Sequence, residues 1–222
     1  MNALIYAQSG GGKTCSSTLV KTGKRGKNLL LCSDNSHVVL NNFERPNLDI
    51  EIVEHWLDRD NAGKPQKHFN EQFENAVNSQ MYDTIIVDSL SDIFDLAILE
   101  LEESGRYKDM RQAYQLVYQN LKRLARIAGQ VDTNVIFTAW HDMTEIVLPT
   151  GEKTIRISPK LPAKILDNVL GLCNIVGYIN TVEKNGVKRW YYVLEGSQTL
   201  YAKDQLFCRK SCLPEDIFTG KN

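Results

Sequence analysis

The chain has 222 residues, 42% of them hydrophobic, and its 26 basic and 27 acidic side chains give a formal charge of −1. Such a length and apolar content fit one globular domain that folds without disulfides, and near-neutrality excludes a wholly basic nucleic-acid binder while leaving room for a local positive strip. The apolar runs are strand-length and the first begins within three residues of Met1, which leaves no room for a signal peptide or membrane span, so a cytoplasmic location is expected.

Ala3-Leu4-Ile5-Tyr6 reads as a short buried strand, and Ala7-Gln8-Ser9-Gly10-Gly11-Gly12-Lys13-Thr14 follows it directly. Strand, glycine-rich turn and helix start make a phosphate-gripping P-loop. Backbone amides from Gln8 through Cys15 are expected to cradle the phosphates. Lys13 reaches the β/γ oxygens, and the Thr14 hydroxyl joins the shell of a magnesium ion. Gly10 to Gly12 permit close backbone approach that a side chain would block. Ala7 stands where G-x-x-x-x-G-K-[ST] has its first glycine, the smallest possible departure.

A first helix is expected over Cys15 to Thr22, stopped by glycines 23 and 26 among cations. Asn28 to Cys32 is a second buried strand, and Ile50 to Val53 a short third. Phe69, Phe73, Ala76 and Val77 mark a helix, followed by the strand Thr84-Ile85-Ile86-Val87-Asp88. Helices are expected over Ile93 to Ser104 and along the stripe from Met110 to Ala128, closed by Gly129. Asn134 to Ala139 supplies the next strand. Buried strands alternating with helices give an α/β fold: a mostly parallel sheet covered by helices on both faces. Past Trp140 come a hairpin (Ile146 to Leu148 with Thr154 to Ile157), a short helix (Leu161 to Leu170), and a second hairpin (Cys173 to Thr181 with Val187 to Glu195) around Lys184-Asn185-Gly186. The expected organisation is one domain over 1–222. Its nucleotide-binding core spans 1–142, a hairpin-and-helix extension 143–213, and a loosely held tail 214–222.

Asp88, ending an apolar run, matches a Walker B carboxylate that holds magnesium, and its strand is expected to neighbour that of the P-loop. Hydrolysis needs an acid to orient the attacking water. Asp34, just past the second strand, is the candidate if that strand neighbours the P-loop strand. His141 follows the run from Val135 to Trp140, at the carboxyl-terminal edge of the sheet, and is the candidate sensor of the terminal phosphate. Lys153, Arg156, Lys160 and Lys164 cluster within a dozen residues and suit DNA phosphates or a neighbouring subunit's nucleotide. The five cysteines read as free thiols, since only Cys208 and Cys212 are close in sequence and no histidine completes a zinc site.

These segments together resemble the phage-encoded RecA-like AAA-domain ATPases, the group that includes Sak-type single-strand annealing proteins of phage recombination systems. The resemblance rests on Ala7 to Thr14, Thr84 to Ser89 and Val135 to Asp142. It also draws on Pro159-Lys160-Leu161-Pro162-Ala163-Lys164 leading to Asp167, on Val176-Gly177-Tyr178, and on Ala202-Lys203-Asp204. It implies a RecA-like P-loop NTPase core, binding and hydrolysis of ATP with magnesium, and self-assembly into a ring or filament. Work around single-stranded DNA beside phage recombination or single-strand-binding proteins, in the host cytoplasm and off the membrane, is implied as well. Two positions depart from the family pattern: Ser33-Asp34-Asn35 carries one carboxylate where Asp-x-Glu is usual, and Gln205 stands where arginine is common. Two other readings stay open: a non-catalytic ATP-dependent switch or assembly module, and a small-molecule kinase, which would usually carry an arginine-rich lid.

Overall fold

The computed structural model describes residues 1–57, 60–61, 64–65, 68–184 and 186–221; Asn185 of the expected hairpin turn and Asn222 of the expected tail lie outside the described residues. In chain order, β1 (Asn2–Ala7), α1 (Lys13–Ser17) and β2 (Asn28–Cys32) lead into a 3₁₀ segment, Asn35–Asn42, and then β3 (Leu48–Ile52). A two-residue pair, β4 (Asp60–Asn61) and β5 (Lys64–Pro65), precedes α2 (Phe69–Ser79), β6 (Thr84–Asp88), α3 (Leu90–Glu103) and α4 (Met110–Gln130). Next come β7 (Asn134–Val147), β8 (Lys153–Pro159), α5 (Ala163–Leu172), β9 (Ile175–Lys184) and β10 (Val187–Val193). The short β11 (Lys203–Asp204), β12 (Ser211–Cys212) and a 3₁₀ turn, Pro214–Asp216, complete the chain.

The sheet runs β12-β10-β9-β1-β7-β6-β2-β3, and every pairing from β9 across to β3 is parallel. This is a RecA-like P-loop arrangement, with β7 inserted between the P-loop strand β1 and the Walker B strand β6. The expected direct neighbourhood of those two strands is therefore corrected, and so is that of β2, which lies beyond β6. Apolar runs report that strands are buried on both faces; they carry no information on which strands pair.

Helices cover both faces, unequally. Leu4, Tyr6, Leu29, Leu31, Ile85, Val87, Val135 and Phe137 point to one face, where α2, α3, α4 and α5 bury Phe73, Ile93, Val117, Leu121 and Val169 against them. Ala3, Ile5, Leu30, Ile86 and Ile136 point to the other, under α1, the first 3₁₀ segment and the C-terminal residues Cys212 and Ile217. Alternation with period two sorts the side chains between these two cores.

Several expected boundaries move. The first helix ends at Ser17 instead of Thr22, because the hydroxyls of Ser16, Ser17 and Thr18 turn back onto the carbonyls of Lys13, Thr14 and Cys15 and compete with helix propagation. Gly129 does not stop α4; it sits inside the last turn, facing Asn2 and the Leu172 carbonyl, and Val131 caps the helix. The first expected hairpin is a continuation of β7. Its proximal half pairs with β1 and β6, and its distal half leaves the sheet to pair with β8. β9 is a parallel neighbour of β1, from Ala3↔Ile175 to Tyr6↔Tyr178, so the parallel sheet continues past residue 142.

The expectation of a loose tail from Pro214 is also overturned. Arg209 and Asp204 form an ion pair at 2.7 Å, with side chains 2% and 0% exposed. The same guanidinium donates to the carbonyls of Asp216, Ile217 and Lys221. Ile217 is fully buried, and Lys21 beside α1 pairs with Asp216 at 2.6 Å. A buried guanidinium requires such acceptors, and the last turn of chain supplies them.

Candidate functional site

β1 delivers the chain at its carboxyl end into the glycine turn. Gly11 donates its amide to the Gln8 carbonyl at 3.1 Å, closing the turn. A methyl added at Gly11 would lie 2.7 Å from the Ala7 Cβ, so the alanine in place of the usual first glycine is accommodated because position 11 has no side chain. Gly12 has φ +87° and lies directly against the indole of Trp190. Lys13 is 9% exposed, and its Nζ donates to the Gln8 carbonyl at 3.2 Å. Burial lowers the Lys13 ammonium pKa from its ordinary value, partly offset by the nearby carboxylates of Asp88 and Asp34.

The Thr14 hydroxyl donates to Asp88 Oδ2 at 2.5 Å, joining α1 to the end of β6 across the intervening β7. Asp88 is 2% exposed and accepts two more hydroxyls: Ser36 reaches Oδ2 at 3.0 Å, and Thr138, from β7, donates to Oδ1. A buried carboxylate needs such donors, and here they fix its orientation toward Thr14. Gly10, Gly12, Lys13, Thr14, Asp34, Ser36, Asp88, Trp140 and Trp190 are among the walls of a cavity of about 280 Å³. Ser9 and Cys15 also line it, whereas Gln8 contributes its carbonyl beneath the turn.

Asp34 reaches this cavity, but its Oδ1 already accepts the Ser36 amide at 2.7 Å and caps the 3₁₀ segment. It thus combines the ordinary turn role of aspartate with a place at the site. His141 does not reach the cavity. Its ring stacks on Tyr178 with centroids 6.3 Å apart and planes 6° apart, on the face of the sheet opposite α1, and its buried Nδ1 has no hydrogen-bond partner among the described residues. The sensor expectation for His141 is corrected by alternation along β7: Thr138 and Trp140 face the P-loop, and the next residue must face away.

The basic cluster is dispersed as well. Lys153 lies at the far end of the β7–β8 hairpin, in an exposed ion pair with Glu145 at 2.9 Å. Arg156 donates to the Gln198 carbonyl. Lys160 stands over the Trp140 ring at 4.8 Å, at the edge of the cavity, and Lys164 is exposed in the first turn of α5. An extended strand advances roughly 3.4 Å per residue, so Lys153, which opens β8, lies a whole strand away from Lys160, which follows its last residue.

Sequence reasoning missed Thr138, Ser36, Trp140 and Trp190. Alternation would have paired Thr138 and Trp140 on one face, given the order of the strands. Asp92, in the first turn of α3, was missed too. Burial raises its carboxyl above the usual carboxylate range and the charges of Asp34, Asp95 and Asp88 add to this, while a Ser33 hydroxyl opposes.

The donor set fits a magnesium-bound nucleotide. A turn made of glycines leaves amides accessible, an ammonium stands beside it, and a buried carboxylate and a threonine hydroxyl supply hard oxygen ligands of the kind magnesium takes together with phosphate. The parallel sheet, its strand order and this constellation define a P-loop nucleotide-binding α/β protein. A family model described as an AAA domain matches residues 1–206, and the chain belongs to that family. Among functionally curated proteins there is no significant sequence match. Similar solved structures include a KaiC-like protein, PH0186, from Pyrococcus horikoshii, at 12% identity and a TM-score of 0.46 over 89% of this chain and 79% of that one. The flagellar accessory protein FlaH from Methanocaldococcus jannaschii has 10% identity and a TM-score of 0.43, over 95% and 82% respectively. At these values neither likeness bears on the chemistry of this chain. Among the described residues no helix is long and apolar enough to cross a membrane.

Proposed function

We propose that this chain is a magnesium-dependent ATPase. The observation that carries the reading is the 2.5 Å contact between Thr14 and the buried Asp88, which brings the two magnesium-binding side chains of a P-loop site together beside Lys13. Thr14 and Asp88 would hold the ion, which when bound neutralises charge on the phosphates and polarises the terminal one. Lys13 meets the β/γ oxygens with a cation whose desolvation is offset once phosphate is present, and the turn amides from Ser9 to Cys15 orient the tail. Asp34 has Oδ2 left to accept a hydrogen bond from the attacking water, since Oδ1 is engaged by the Ser36 amide.

The cellular role we propose is DNA recombination or single-strand annealing by a homo-oligomer encoded by a phage and acting in the host cytoplasm. This part is supported by the sequence resemblance. Lys160 and Lys164, at the base of the hairpin, are the proposed contacts to single-stranded DNA or to a neighbouring subunit's nucleotide; the paired Lys153 and the carbonyl-bound Arg156 are less suited. A second reading, a non-catalytic ATP-dependent switch, is favoured by one observation: the single carboxylate after β2 is partly spent on capping the 3₁₀ segment.

The experiment is ATP turnover against single-stranded DNA concentration, for the natural chain, Lys13→Ala and Asp34→Asn. Turnover that Lys13→Ala abolishes and Asp34→Asn reduces supports hydrolysis as described. Tight binding with negligible turnover establishes the switch, and an absence of both stimulation and salt-sensitive DNA binding discards the DNA role.

A further inference from the structure

The order of the sheet gives the cavity a direction. Thr14, Asp88, Asp34 and Ser36 gather where β6 and β2 end, on the β7 side of β1. The terminal phosphate belongs at that end. β9 and β10 lie on the other side of β1, and β10 reaches the cavity there through one side chain. Trp190 stands there. In the register of the hairpin it pairs with Thr181, three residues beyond the Tyr178 that lies level with Tyr6, so it rises above the carboxyl edge of the sheet to the height of the glycine turn.

Trp190 packs against the core on the α1 face and lines the cavity. The edge of its indole meets Gly12 so closely that a Cβ there would fall 2.2 Å from Nε1, 2.7 Å from Cε2 and 3.0 Å from Cδ1. The ring is therefore held in place before any ligand arrives, and little side-chain freedom is lost on binding. Trp140 is placed differently: it belongs to β7, on the terminal-phosphate side, and Lys160 covers its ring. Trp56, the third tryptophan, is 4% exposed in the opposite core.

Resting on the nucleotide-binding reading above, we propose that Trp190 is the platform for the nucleobase, and that it selects purine over pyrimidine nucleoside triphosphates by stacking. Every base has a π-face, so stacking accepts adenine and guanine alike. A purine covers more of an indole than a pyrimidine does, and the area removed from water sets the preference.

The test is calorimetric titration of the natural chain, Trp190→Ala and Trp190→Phe with ATP, GTP, CTP and inorganic tripolyphosphate, all with magnesium. The natural chain is expected to bind ATP and GTP within about threefold of each other and CTP more weakly. Trp190→Ala should lose about tenfold or more in affinity for ATP and GTP, erase the preference over CTP, and leave tripolyphosphate binding unchanged. Trp190→Phe should keep most of the purine affinity. Unchanged tripolyphosphate binding also reports that the variant is folded and its glycine turn intact. Unaltered ATP binding by Trp190→Ala overturns the proposal, and so does an equal loss for ATP and tripolyphosphate, which would make Trp190 a prop for the turn. If the natural chain binds neither ATP nor tripolyphosphate, the P-loop reading itself fails, and the two failures are thereby told apart.

Discussion

Replacing Thr138 by valine removes one hydroxyl and keeps nearly the same shape. Thr138 is fully buried, and its Oγ1 donates to Oδ1 of Asp88, which is itself 2% exposed. A hydrogen bond to a charged, buried group is worth about 1.5–3 kcal/mol. The variant should therefore lose about 2 kcal/mol of stability, read as a lower urea midpoint with unchanged slope. Thr138→Ser keeps the donor and should recover most of the loss. A second readout separates positioning from stability. Thr138→Val removes one of the three hydroxyls that orient the carboxylate, and losing such a supporting partner typically costs 10- to 100-fold in metal affinity, so MgATP binding should weaken about tenfold. A Thr138→Val protein within 0.5 kcal/mol of the natural one, or one that binds MgATP equally well, would refute the claim that β7 orients Asp88.

Arg209→Ala should cost about 3–5 kcal/mol, because it strands the buried Asp204 carboxylate and frees the carbonyls of Asp216 and Ile217; thermal unfolding and proteolysis of the C-terminal segment would register it. The same pair predicts an acid limit. Burial alone would raise the Asp204 carboxyl, but hydrogen bonds from Arg209 and the Phe207 amide outweigh it and hold the pKa below its ordinary value, so this contribution is complete above the unfolded pKa near 4 and is lost as pH falls through the folded one. Denaturation midpoints should fall below about pH 4 in the natural chain and respond less in Arg209→Ala. His141→Ala should leave MgATP affinity within about twofold, measured by titration, since the ring lies on Tyr178 across the sheet from the cavity; a tenfold loss would restore it as a sensor. Gly12→Ala should abolish nucleotide binding, because the methyl meets the Trp190 ring and the backbone holds φ +87°; wild-type affinity in that variant would disprove the described fit.

Local chemistry was readable from the chain. A strand, a run of glycines, Lys13 and Thr14 have the spacing of a P-loop, and Asp88 ends an apolar run as the Walker B pattern does. Alternating buried strands and helices likewise specify a mostly parallel sheet, because strands buried on both faces must be apolar throughout. Which strand lies beside which is not written in any single segment, since backbone pairing is indifferent to side-chain identity. It is decided by how whole faces pack. That is why β7 between β1 and β6, the orientation of Thr138 toward Asp88, the exile of His141 to the opposite face, and the arrival of Trp190 beside Gly12 from far along the chain emerge only in three dimensions. The docked tail has the same origin: Arg209 looks like a surface cation in sequence, and only folding buries it among acceptors that oblige the last residues to follow.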